Sequence, residues 1–360
     1  MQKNEIYVIY GNTPKTMVKE LLSHIKPEQK IPKGTRIGIK PNLVVAKPST
    51  SGATTSPELV EGIVEYFQSK GYKNITILES SWVGDRTSRA FKVCGYEKIS
   101  EQYGVPLVDL QKDSHVEYDV NGIKINICSK LEEIDYLINV PVLKGHCQTN
   151  ITCALKNLKG CIPNFEKRRF HTMGLHKSIA YLNKAIKQDL IIVDGIMGDL
   201  NFEEGGNPVE MNRVLAATDP VLLDSYAANL LGFEVNDIPY IKIAEELGVG
   251  SSDLSNAKIV ELNSDEGTPI IRRTNINQPY IDLIKEKNAC SACYGTLIHA
   301  LERLKESGQL NKVRTKIYIG QYYKNKNIED GIGVGQCTRG CANYIPGCPP
   351  TARDIVEYFL

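Results

Sequence analysis

From Ile37 to about Leu262, short β-branched runs alternate with longer amphipathic ones, and this rhythm restricts the chain more than any other feature. It is the expected signature of βαβ units feeding an α/β fold, a largely parallel or mixed sheet flanked by helices. The expected strands are Ile37–Lys40, Ile75–Leu78, Tyr136–Val142, Leu190–Val193 and Ile259–Leu262. Between the first two, Ser56-Pro57-Glu58 supplies an N-cap, a proline at the first helical position and an acid at the positive helix end. Leu59, Val60, Ile63, Val64 and Phe67 follow at helical spacing, and Gly71 ends the helix.

Two changes of texture interrupt the alternation. The segment from Cys161 to His176 is polar, basic and proline-containing, and reads as a loop or lid. At Glu266 to Pro279 the residues Gly267, Pro269, Asn275, Asn277 and Pro279 cluster between periodic segments, which places a domain junction near 265–285. The expected organisation is an α/β domain over 1–270, with a lid-like loop near 161–176, and a small C-terminal domain over 280–360. No repeat or low-complexity tract is evident.

Charge and composition exclude several classes. Lys plus Arg number 43 against 42 Asp plus Glu, so no global field steers the chain toward nucleic acid or an anionic membrane. No stretch approaches the ~20 apolar residues needed to cross a bilayer, and Met1–Tyr10 carries a lysine and a glutamate before its short apolar run. Neither a Walker loop nor a dinucleotide glycine pattern occurs between strand and helix, so no tightly bound nucleotide is expected. The chain has ten cysteines and no evident export signal, which points to the reducing cytoplasm, where thiols serve metals or chemistry more often than disulfides.

Half of those cysteines crowd the C-terminal part, as Cys290-Ser-Ala-Cys293, then Cys337-Thr-Arg-Gly-Cys341, then Cys348 in Gly-Cys-Pro-Pro. A Cys-x-x-Cys pair can place two thiolates on one metal centre while a second group, brought back by the fold, completes it. Three features favour an iron-sulfur cluster over zinc. The glycines of Gly331-Ile-Gly-Val-Gly335 allow backbone amides to approach cluster sulfurs. Cys348 is followed by proline, as in ferredoxin-type endings. The 43 residues between Cys293 and Cys337 exceed the ~12 to 20 typical of zinc ribbons. By contrast, Cys147, Cys153 and Cys161 match no ligand spacing, and with Cys94 and Cys128 they read as core residues.

The polar residues of the larger domain gather at strand ends, beyond which ligands bind in open α/β sheets. Lys40 and Asn42 end one strand, and Lys144 and His146 follow an apolar run ending at Leu143. Lys156, Asn157 and Lys159 lie on or just after a short helix expected from about Asn150, Asp194 closes another strand, and Glu203 and Glu204 follow in a loop. Singly, such residues are ordinarily solvated strand ends or hydrogen-bonded structural groups. Converging, they suit a small anionic molecule, a carboxylate or phosphate. His146, Lys144 and Asp194 are then the candidate proton-transfer groups, and Lys40, Asn42, Lys156, Asn157 and Glu204 the candidate substrate contacts. Arg168, Arg169 and His171 add a local positive patch in the lid.

Several of these residues carry a resemblance. Ile39-Lys40-Pro41-Asn42-Leu43, Thr54-Thr55-Ser56-Pro57, Pro141-Val142-Leu143-Lys144-Gly145-His146, Ala154-Leu155-Lys156-Asn157-Leu158-Lys159-Gly160 and Thr218-Asp219-Pro220-Val221-Leu222-Leu223-Asp224 together resemble the domain-of-unknown-function family 362. The resemblance implies iron-sulfur association and leaves the reaction undefined. Members of that family often carry a compact ferredoxin insert, which this chain lacks. Its Ile345-Pro346-Gly347-Cys348-Pro349-Pro350 instead looks like the cluster-binding turn of the small subunits of hydrogenases and of respiratory NADH dehydrogenase. By that comparison Cys290, Cys293, Cys337 and Cys348 are the favoured ligands of one [4Fe-4S] cluster, with Cys341 the extra one.

The leading expectation is therefore a redox protein or redox enzyme that passes electrons to a small anionic molecule or a redox partner protein. The rivals are a carrier or maturation protein with a structural cluster, and a lyase or isomerase using an open cluster iron as Lewis acid.

Overall fold

The computed structural model describes residues 1–264 and 278–360, which fall into two compact units. One comprises residues 1–166 and 176–264, the other 167–175 and 278–360. Most of the expected junction near 265–285 lies outside the described residues.

In the first unit the strands are β1 (Glu5–Tyr10), β2 (Ile37–Pro41), β3 (Ile75–Glu79), β4 (Leu107–Asp109), the hairpin β5 (His115–Val120) and β6 (Ile123–Cys128), β7 (Tyr136–Val140), the small pair β8 (Lys144–His146) and β9 (Asn150–Thr152), β10 (Leu190–Asp199), β11 (Pro208–Ala217) and β12 (Lys258–Glu261). Eight of them form one sheet in the order β12-β1-β11-β10-β7-β2-β3-β4. Neighbours are parallel except at β11, which runs antiparallel to both β1 and β10. The sheet is thus the expected, largely parallel one. Every residue of β2 is buried, as a central strand covered on both faces requires.

Side-chain parity sorts the sheet's two faces. Ile37, Ile39, Ile138 and Val140 enter one core with helices α1 (Pro14–Ile25), α2 (Pro57–Ser69), α3 (Thr87–Val93) and α4 (Tyr96–Tyr103). Lys40 and Asn139, register partners on β2 and β7, alternate with those residues and so face the other side. There they meet α5 (Ala154–Asn157), which packs with α8 (Pro220–Leu230), itself against α9 (Pro239–Glu246). Helix α2 starts where Ser56 Oγ accepts from the Leu59 amide, 3.4 Å away, and stops before Gly71 at φ +85°.

The segment expected as a loop or lid is instead helical. Cys161 closes a short 3-10 turn, Asn164–Met173 form α6, and Leu175–Ala185 form α7. Phe170 is fully buried and Lys167 and His171 nearly so, so its polar composition hid an apolar anchor. The helix expected from about Asn150 starts only at Ala154, because Asn150–Thr152 pair with Lys144–His146 instead.

The second unit has a four-stranded sheet of β13 (Ile284–Glu286), β14 (Ile317–Ile319), β15 (Ile328–Val334) and β16 (Cys341–Ile345), adjacent in that order and all parallel. Helix α10 (Ser291–Glu306) buries Leu297, Ile298, Leu301 and Leu304, and α11 (Ala352–Phe359) packs beside it, capped by Thr351 and Asp354.

Candidate functional site

Because β13 to β16 are parallel, their carboxyl ends share one edge, where open α/β sheets present ligand-binding segments. The chain leaving β13 carries Cys290 and Cys293, that leaving β14 carries Gln321, that leaving β15 carries Cys337, and that leaving β16 carries Cys348. Cys290 stands at the N-cap position of α10 and Cys293 lies in its first turn. The Cys337 and Cys348 segments are bonded directly, since the Gln336 amide donates to Gly347 O at 2.8 Å. A Cβ on Gly335 would lie 3.5 Å from Cys293 Sγ and 3.6 Å from Gly347 O, and Gly335 itself sits at φ +87°.

Electrostatics identifies the same group of four. Burial pushes the Cys293 thiol up, and the thiols of Cys290, Cys348 and Cys337 push it further while Arg168 draws it down. Cys337 is raised by burial and by Cys348, against Lys324 and Arg168. Cys341 stands apart. It opens β16, a strand of about 13 Å from its first to its last Cα, at the edge opposite Cys348, and its thiol is raised by burial and by Asp330. Among the described residues, no three His, Cys, Asp or Glu side chains are placed to hold a single metal ion.

In the first unit the parity of β2 and β7 puts Lys40 and Asn139 beneath α5, and a continuous buried network follows. Lys40 Nζ donates to Glu79 Oε2 at 2.7 Å, to Pro41 O at 2.8 Å and to Asn157 Oδ1 at 3.3 Å. Asn157 Oδ1 also accepts from Asn42 Nδ2 at 2.9 Å, and Asn157 Nδ2 donates to Asn139 Oδ1 at 2.7 Å. A Cβ on Gly160 would lie 1.9 Å from Glu79 Oε1 and 2.5 Å from Lys40 Nζ, so a larger residue there would displace this ion pair.

Beside this network β8 runs against the loop joining β10 to β11. Asp199 shapes that loop by accepting from the amides of Asn201, Phe202, Gly206 and Asn207 at 2.6–2.8 Å. Close approach needs Gly145, whose Cβ would lie 1.9 Å from Leu200 O. The approach delivers Glu203, whose carboxylate bonds His146 Nε2 at 3.0 Å and pairs with Lys156. His146 Nδ1 accepts from the amides of Gln148 and Thr149, so Nε2 carries the proton, and burial holds the ring neutral by pulling it down to about 3. Lys144 Nζ donates to Asn42 Oδ1 at 3.2 Å, to Glu203 O at 2.8 Å and to Ala53 O, which uses all three of its protons. Burial draws Lys144 down to about 7 and pushes Glu204 up to about 7, and Glu204 Oε1 is buried with no hydrogen-bond partner.

The structure therefore brings Lys144, His146, Lys156 and Glu204 together, and joins Lys40, Asn42 and Asn157 to them through Asn42. Asp194 adjoins them through the backbone, its carbonyl accepting from the Leu143 amide at 2.9 Å and its amide donating to Pro141 O at 2.8 Å. Its carboxylate accepts from the amides of Ser56 at 2.7 Å and Ile196 at 3.0 Å, tying α2 to the irregular part of β10, and burial raises it to about 6. Glu79, Asn139 and Asp199 complete the network without having been singled out, Glu79 at the end of β3 looking like an ordinary strand end, while Glu203, named with Glu204 in the same loop, is the carboxylate that meets His146 and Lys156.

The family described as "Domain of unknown function (DUF362)" matches residues 37–229, more than half of the 360. A thylakoid-associated protein of Synechocystis sp. is 26% identical over 283 residues, covering 70% of this chain and 85% of the relative. A structure of the lactate racemase apoprotein from Thermoanaerobacterium thermosaccharolyticum aligns with a TM-score of 0.39 at 16% identity over 61% of this chain, which spans 55% of that one. No helix among the described residues is long and apolar enough to cross a membrane.

Proposed function

The chain belongs to the DUF362 family, and from that premise we propose that it is an iron-sulfur redox protein whose C-terminal unit holds one [4Fe-4S] cluster. The observation carrying this reading is that the segments bearing Cys290, Cys293, Cys337 and Cys348 all leave the carboxyl edge of one parallel sheet. The donor set fits the group: four soft thiolates, a helix N-terminus and the bare backbone of Gly335. When bound, such a cluster supplies one-electron transfer.

In the α/β unit, burial draws Lys144 down and pushes Glu204 up, perturbations of the kind that gather at functional sites. Lys156 and the Nε2–H of His146 present a converging pair of donors, which Glu203 now occupies. That pair is where the carboxylate or phosphate of a small substrate would be received, His146 serving as a fixed donor. A reducing, cytoplasmic setting belongs to the same reading.

The test is anaerobic purification with iron, sulfide and zinc analysis of the full chain and of single cysteine variants. About four iron and four sulfide per chain are expected, retained in Cys341→Ser and reduced in Cys290→Ala, Cys293→Ala, Cys337→Ala and Cys348→Ala. A stoichiometric zinc content, or equal loss in Cys341→Ser and Cys348→Ala, refutes the assignment. The shortness of β13 and β14, three residues each, favours a second reading in which the cluster is structural. Global loss of the C-terminal unit's fold in Cys348→Ala supports that reading, and retained fold with lost reducibility supports the first.

A further inference from the structure

Strands β13, β15 and β16 each lead into cysteine, whereas β14 leads into Gln321, at the same edge. The Gln321 carboxamide nitrogen has two protons and two acceptors. It donates to Arg168 O at 2.8 Å and lies at 3.6 Å from Cys290 Sγ, within hydrogen-bonding reach of sulfur. A second link joins the same two stretches of the unit, where the Ser291 amide donates to His171 Nε2 at 3.4 Å. Residues 167–175 are thereby laced to the start of α10, and the charge of Arg168 acts on both Cys293 and Cys337.

We propose that Gln321 sets the reduction potential of the group held by these four cysteines by its hydrogen bond to the Cys290 sulfur, its bond to Arg168 O holding the carboxamide in place. The inference rests on the cluster reading and names its control. Reduction adds negative charge, which a donor to a ligand sulfur stabilises, so removing it makes reduction harder. The segment expected as a loop or lid is, on this reading, part of the cluster's own environment. Gln321 is a positioning residue that acts through the sulfur.

The experiment uses the full chain and three proteins: native, Gln321→Leu and Gln321→Met. Iron and sulfide are measured first, and the midpoint potential is then followed spectroscopically against mediators. The expected result is a native iron load, with the reduced-to-oxidised ratio at fixed poise lowered about tenfold in both variants, which is ~59 mV for one electron. A purely structural role would lower iron content or stability and leave the potential of loaded protein unmoved. Full loading with an unmoved ratio overturns this inference alone, whereas absence of iron and sulfide from the native chain overturns the cluster reading and this inference with it. Should Gln321→Leu fail to load, Gln321→Met decides by the same ratio.

Discussion

Replacing Lys40 by methionine should cost the α/β unit about 3 kcal/mol. The ammonium is fully buried and makes three hydrogen bonds, the shortest at 2.7 Å to Glu79, which is itself 2% exposed. Removing one partner of a buried pair typically costs about 3–5 kcal/mol, because the remaining charge has neither water nor counter-ion. The lower end applies here. Glu79 keeps two backbone donors, Leu43 N at 2.9 Å and Ser80 N at 2.7 Å, and methionine fills much of the vacated volume. Adding Glu79→Gln removes the stranded charge and should restore about 1–2 kcal/mol, less than all, since one amide oxygen cannot serve both backbone donors. The chain's single tryptophan, Trp82, follows β3 closely and bonds Val44 O through its amide, so its fluorescence in a urea titration reports on this unit. A cost below about 1 kcal/mol for Lys40→Met, or a double variant less stable than the single, would refute the reasoning.

Glu204→Gln tests the pH dependence. With its folded pKa raised to about 7 from 4.5, Glu204 keeps a proton that the unfolded chain releases, so native stability falls as pH rises between about 4.5 and 7 and stays lower above. The amide, neutral throughout, should leave stability unchanged near pH 4.5 and raise it by about 1–3 kcal/mol at pH 8, and an equal gain at both values in urea titrations would contradict it. Lys144, drawn down to about 7, acts in the opposite sense: its contribution rises with pH from about 7 toward 10.5, and Lys144→Met should flatten that limb of the stability profile. Gly145→Ala should displace the loop that carries Glu203 and cost about 1–3 kcal/mol, measurable as a lowered urea midpoint, because the added methyl would lie 1.9 Å from Leu200 O.

The division between sequence and tertiary structure follows from the range of the interactions. Periodicity and capping are local, so the alternation between Ile37 and Leu262 was enough for a largely parallel sheet, and Ser56, Pro57 and Gly71 for the limits of α2. The crowding of five cysteines into the C-terminal part was equally plain. Spacing alone did not separate them, and it was the likeness of the Cys348 turn to known cluster-binding turns that set Cys341 apart from the other four. Cys337 and Cys341 are near in sequence, yet one follows the carboxyl end of β15 and the other opens β16 at the far edge, a consequence of strand pairing that no spacing rule expresses. Lys40 finds Glu79 39 residues away, His146 finds Glu203 57 residues away, and Gln321 finds Arg168 153 residues away. Polar composition made residues 161–176 look like a solvated loop, whereas Asn164–Met173 form a helix that buries Phe170. Local preference decides what each segment can become, but a buried charge or thiol takes its properties from whatever the topology sets beside it, and that is settled only when the distant strands have found their register.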